Sequence, residues 1–246
     1  MANALANIPA ESDVLCEGCG YVLNGLPDGA NCPECGKPTS ESAATLRHGA
    51  AWEQPGPALR RFIATTREVL AHPTRFYRSL ATRKTRESST RFARAHWAIA
   101  SALLGVAAYA HFSWYLYLGN LPSSLDRWNY TVPVVLVFAM IVYLMLSATT
   151  RVAGWLTTLE AGFWGMRLPL PVVLRGLDYH AAHYLPVAFV SSATIVGYRL
   201  LVYWHLAGSL SAPTYLYVLC GEVILGAIYL FKTYWIGMKN MMYANG

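Results

Sequence analysis

The chain has 246 residues, of which 55% are hydrophobic and only 13% charged, with a formal net charge of +6. The apolar residues concentrate after Ala95, which excludes a uniformly soluble globule and leaves a small polar head ahead of a larger membrane part. Charge divides unevenly as well. Residues 1–46 set Lys37 against Glu11, Asp13, Glu17, Asp28, Glu34 and Glu41, a net of −5, whereas residues 47–94 carry eleven cations against Glu53, Glu68 and Glu87, a net of +8. Phosphate backbones demand clustered cations, so an acidic head does not suit a nucleic-acid partner, and none is expected.

Residues 1–12 read as a flexible N-terminus. Residues 1–15 have neither a charged n-region nor an apolar h-region, so no cleavable signal is expected. Over 13–37 the dominant feature is Cys16, Cys19, Cys32 and Cys35, two CxxC pairs twelve residues apart. Zinc favours four thiolates in a tetrahedron, and each CxxC lets a tight knuckle place two sulfurs on one ion. Gly20 and Gly36 follow the second Cys of each pair, where a positive φ is often needed. The intervening Tyr21–Ala30 alternates apolar residues with turn formers, which predicts a short β-hairpin and hence a small zinc ribbon. So few residues cannot bury a sufficient core, and one structural zinc must supply the folding energy. Two disulfides, a redox pair and a rubredoxin-like iron site are the alternatives. With four protein ligands the ion has no open position, which makes it structural rather than catalytic.

Residues 38–57 are rich in Ser, Thr, Ala and Gly without sustained periodicity and read as a loose linker. A basic, amphipathic helical region is predicted over 58–94. Leu59, Phe62, Ile63, Thr66, Val69 and Leu70 form its first apolar stripe, ended by Pro73. That stripe suits a helix in the headgroup plane or a packing surface. Arg75, Arg78, Arg83, Lys84, Arg86, Arg91 and Arg94 follow, cations that suit anionic lipid headgroups over 74–94 and orient the first span.

Four membrane spans are predicted in 95–237, at about 95–118, 131–150, 185–207 and 214–236, each near the ~20 residues that cross the hydrocarbon. Trp97, Trp155, Trp164 and Trp235 fall at the expected inner face, and Trp114, Trp128 and Trp204 at the outer one. The outer connectors carry only Arg127, while 151–184 carries Arg151, Arg167 and Arg175. Both termini are therefore expected in the cytosol, with the chain multipass in the inner membrane and 238–246 a C-terminal tail. The connector 151–184 reads as cytosolic and helical, broken around Pro169 and Pro171. The expected fold class is mainly α: a polytopic helical bundle of four spans preceded by a zinc-ribbon hairpin.

The stretch Ala71-His-Pro-Thr-Arg-Phe-Tyr-Arg-Ser-Leu80, ahead of a compact multipass bundle, resembles bacterial relatives of the Yip family of multipass membrane proteins. Cys16-Glu-Gly-Cys-Gly-Tyr-Val-Leu-Asn-Gly-Leu-Pro27 with Cys32-Pro-Glu-Cys-Gly36 resembles zinc ribbons fused ahead of such bundles. In eukaryotes that family comprises trafficking factors that engage small GTPases. For a bacterial relative the resemblance implies a membrane organiser or adaptor.

Arg199 and Glu222 lie inside the third and fourth spans, each 11.5 residues from a turn centred at 210.5, which predicts equal depth and an intramembrane ion pair. Asp178, His180 and His183 cluster before the third span and offer a metal or titratable site. There is no HExxH spacing and no Ser or Cys nucleophile motif, so no reaction is assigned. The leading expectation is a non-enzymatic adaptor whose ribbon binds a cytosolic protein. A small transporter or channel component using Arg199 and Glu222 is the alternative, and a membrane-embedded enzyme using His180 and His183 the third reading. Cys220, His111 and His205 are isolated, and Lys232 is expected to snorkel to the inner face.

Overall fold

The computed structural model describes residues 9–10, 12–27, 29–118, 127–204 and 212–245. His205, the connector at 119–126 and the turn over 208–211 lie outside the described residues, as do residues 1–8 and the side chains of Trp114, Arg127 and Trp128. The protein is mainly helical, and no strand occurs among the described residues. Its helices are α1 (Ala58–Ala71), α2 (Pro73–Ser79), α3 (Glu87–Leu118), α4 (Arg127–Phe163), α5 (Leu170–His180), α6 (Tyr184–Tyr203) and α7 (Ala212–Met241). Four stretches are long and apolar enough to cross a membrane: Glu87–Phe112, Val132–Phe163, Leu170–Tyr203 and Pro213–Met241.

Local chemistry explains the breaks. Pro73 starts α2 and pushes His72 out of helical geometry, to φ −135° and ψ 53°, so α1 stops at Ala71. The helix α4 continues past residue 150 to Phe163, and Gly165 at φ +70° then reverses the chain. Pro169 caps α5 and Pro171 lies in its first turn, where no N–H is needed.

Two compact units emerge. One gathers 1–93, 149–182 and 232–246; the other gathers 94–148 and 183–231. The first has an aromatic centre. Phe76 meets Tyr77 and Tyr179 edge-on at 5.2 Å, and Phe92 lies 5.2 Å from Tyr179 and 5.4 Å from Phe62. Trp52 completes it, 6.0 Å from both Phe62 and Phe92. Each such side chain contributes about 1.5–3 kcal/mol through burial, which makes this cluster the main cohesive element of the unit.

Three ion pairs are sealed around that centre. Arg175, fully buried, donates to Glu53 at 2.5 Å and to the carbonyls of Ala81 and Thr85, while the Tyr179 hydroxyl donates to the same Glu53 oxygen. Asp178 accepts two bonds from Arg86, at 2.8 and 2.9 Å, and one each from Ser89 and Thr90. Arg47 engages Glu17 with both arms, at 2.6 and 2.9 Å. Buried charges persist only when paired and hydrogen-bonded, and the buried Arg175 and Arg47 guanidiniums meet that condition, while Arg86 stays about one-third exposed.

The stretch 38–57, expected as a loose linker, is instead folded into three 3-10 turns and built into the unit. His48 bridges Leu80 in parallel, Ala50 is buried, and Trp52 takes the Thr65 hydroxyl on its N–H. Small residues gave no periodicity, yet they let the chain lie close against α1 and α2. The α1 stripe divides: Val69, Phe62 and Leu70 face the core, Thr66 is half-buried, and Leu59 and Ile63 stay exposed, while Thr65, outside the predicted stripe, is fully buried. In the basic run, Arg75, Arg78, Arg83, Lys84, Arg91 and Arg94 are exposed, but Arg86 turns inward to Asp178.

In the second unit Gly105 lets α3 approach α4 closely: a Cβ there would sit 2.8 Å from the Val135 carbonyl. Phe112 stacks on Phe138 at 5.0 Å, and Trp97 meets Tyr143 edge-on at 6.0 Å. Trp97 is thus buried in helix packing, only 3% exposed. Small residues at helix contacts are the usual device where hydrocarbon replaces water. The outward faces of α4 and α7 carry exposed Leu136, Met140, Leu144, Val223, Ile224 and Ile228, as lipid-facing surfaces require.

Candidate metal centre

The four cysteines sit on two copies of one miniature loop, offset by sixteen residues. In the first, the Cys16 N–H bonds the Tyr21 carbonyl, the Gly20 N–H the Cys16 carbonyl, and the Leu23 N–H the Val14 carbonyl. In the second, Cys32 bonds Lys37, Gly36 bonds Cys32, and Thr39 bonds Ala30 in the same senses. Gly20 and Gly36 adopt φ +84° and +72°, the left-handed turn that a side chain would strain. The single bridges Leu15–Val22 and Asn31–Pro38 close the two loops. The hairpin expected across residues 21–30 is not seen among the described residues, where each CxxC instead pairs locally with its own flanks.

The loops bring all four sulfurs within 4.8 Å of one another. Cys16 Sγ lies 3.5 Å from Cys35 Sγ, and Cys19 Sγ lies 3.6 Å from Cys32 Sγ. These separations are far beyond a disulfide's ~2.05 Å and close to the ~3.8 Å edge of a tetrahedron with metal–sulfur bonds of ~2.3 Å. The residues present therefore fit a four-thiolate metal ion. Burial raises the Cys16 thiol, but the N–H groups of Gly18 and Cys19 and the neighbouring thiols outweigh it and bring it down to about 7. Burial pushes Cys19 up to about 12. Four thiolates this close need a cation to coexist.

Around the cysteines the hydrophobic support is slight: among the described residues, Leu23 and Leu26 alone join Cys16, Cys19 and Cys32 in a cluster. What fixes the centre is polar and comes from distant chain segments. Arg47, besides holding Glu17, donates to the carbonyls of Tyr77, Leu80 and Asn240. Asn245 donates to the carbonyls of Leu15 and Ser42 and accepts the Leu15 N–H, at 2.6–2.8 Å. Arg167 grips the carbonyls of Ala10 and Asp13. Tyr243 lies so tightly on Gly20 that a Cβ there would fall 2.6 Å from its ring.

The other candidate residues separate. Glu222 accepts a hydrogen bond from Thr194, and the described ion pairs do not include one between Glu222 and Arg199. The reason is register. His183 with Tyr229, Val187 beside Gly226 and Thr194 with Glu222 have midpoints of 206 to 208, not the 210.5 assumed from the turn. Thr194 and Arg199, five residues apart, also point about 140° apart around α6. Asp178 is committed to Arg86, His180 bonds Thr233 and His183 bonds Tyr229, so these three engage separate partners. His111 bonds Tyr215, while Cys220 and Lys232 are exposed. No protein-family model, curated protein or solved structure matches this chain.

Proposed function

We propose that this is a multipass inner-membrane protein whose Cys16, Cys19, Cys32 and Cys35 hold one structural zinc ion, and whose metal-bound loops form a non-enzymatic docking module for a cytosolic protein. A closed four-sulfur site favours structure over catalysis. The observation that carries the docking role is the surface of the first loop. Val14, Tyr21 and Val22 are exposed there on a module too small to waste apolar surface. Glu34 and Glu41 add exposed negative charge nearby in sequence.

Topology supports a cytosolic module. The N-terminal, central and C-terminal segments share one compact unit, which supports a reading with all three on one side of the bilayer and an even number of spans. The exposed cations of 74–94 favour the cytosolic side, with anionic headgroups as their partners. A role as membrane organiser accords with the Yip-like stretch 71–80. The test is a photo-crosslinker placed at Tyr21 in the full-length protein in cells. A discrete adduct, absent with the crosslinker at Arg60 and lost when Val22 becomes Asp, supports docking. Equal labelling from both positions overturns it.

A second reading rests on Glu222. Its carboxylate lies within a span and accepts a bond from Thr194, while its second oxygen has no hydrogen-bond partner among the described residues. Ionisable groups at such depth mark transport pathways by default. Proteoliposome proton flux abolished by Glu222→Gln supports it, and unchanged flux removes it.

A further inference from the structure

A cavity of about 930 Å³ opens in the first unit, walled by the two cysteine loops, the α1–α2 junction and the end of α7. Four exposed cations line it from three of these walls: Lys37 from the second loop, Arg75 and Arg78 from α2, and Lys239 from α7. The ion pairs among the described residues include none of the four. Two carboxylates also line it, but Glu17 is neutralised by Arg47, which leaves Glu41 alone against them. Like charges gathered in a concave site repel one another, and Glu41 is the one lining carboxylate left to offset four cations. Such an arrangement is stabilised by an anionic guest.

We propose that this cavity binds a phosphoryl-bearing ligand carrying about two to four negative charges, held by Lys37, Arg75, Arg78 and Lys239. Several features select phosphate over an acidic peptide. The volume is within the range of ~300–1,000 Å³ typical of small-molecule sites, and the charge is converged from separate walls rather than spread along a face. Arg75 and Arg78 supply planar forks that match phosphate oxygens, and the two lysines supply point charges. The phosphoryl group comes from a soluble metabolite or from an anionic lipid headgroup. The inference is independent of any protein partner at Tyr21.

The experiment uses the full-length, metal-loaded protein in nanodiscs. In one arm the discs are pure phosphatidylcholine and inorganic pyrophosphate is titrated by calorimetry. In the other the discs contain phosphatidic acid, and lipid retained on the protein is measured by native mass spectrometry. Saturable one-to-one binding is expected in one arm, weakened about tenfold by Arg75→Gln with Arg78→Gln and unchanged by Arg60→Gln with Arg67→Gln, two exposed α1 cations away from the cavity. Pyrophosphate binding identifies the soluble source; phosphatidic acid retention alone identifies the headgroup. Bound metal reports folding, and if the α2 double variant loses it, Lys239→Gln carries the same expectation. Absence of binding in both arms, or equal weakening by the α1 and α2 variants, overturns the proposal.

Discussion

Replacing Arg47 by Met isolates the contact on which the metal centre's anchorage depends. The guanidinium is 1% exposed and makes five hydrogen bonds, two to Glu17 and one each to Tyr77, Leu80 and Asn240. Methionine fills a similar volume but leaves the Glu17 carboxylate, 16% exposed, without its counter-ion and three carbonyls without a donor. Removing one side of a buried pair costs about 3–5 kcal/mol, and a value of about 4 kcal/mol corresponds to roughly a thousandfold shift in the local opening equilibrium. The assay is the rate at which excess chelator strips metal from the purified protein, which follows opening of the loops. Arg47→Met should lose metal several hundredfold to a thousandfold faster, and adding Glu17→Gln should recover part of the loss, because no unpaired charge then remains buried. A single-variant rate within about threefold of the wild type would refute the reasoning.

Other outcomes follow from the same contacts. Asn245→Ala frees the Leu15 N–H and two carbonyls, so exchange of the Leu15 amide should rise about thirtyfold, read by hydrogen–deuterium exchange. Gly20→Ala combines a positive φ with a clash against Tyr243 and should weaken metal affinity, measured by competition with a chromogenic chelator. Asp178→Ala leaves Arg86, Ser89 and Thr90 without their shared acceptor and should cost about 3–5 kcal/mol, seen as a lower thermal midpoint of the first unit. Gly105→Leu should disrupt packing of α3 on α4, read as loss of a disulfide engineered between the two helices.

How much of this was legible in the sequence depends on the range of the interaction. The paired CxxC motifs and their glycines are local, so the four-cysteine cluster that could hold a metal ion and the two left-handed turns could be read directly. Span length and hydropathy are also local, and the four long apolar helices followed. The anchorage of the metal centre is not local: Leu15 and Asn245 are 230 residues apart, and no motif marks Asn245. Arg47 carries only a faint signal, a lone cation in a stretch of small residues that reads as a linker. Glu53 and Arg175 are 122 residues apart, and a charge tally cannot show that they pair. The expected Arg199–Glu222 pair is not among the ion pairs of the described residues, and equal depth by itself fixes neither register nor azimuth.

The most direct test measures metal content and thiol accessibility together in right-side-out and inverted vesicles, with and without chelator, in a Cys220→Ser background. The account predicts one zinc per chain and four cysteines that chelator unmasks only in inverted vesicles. Metal-free protein, or labelling of these cysteines from the outside, would contradict it.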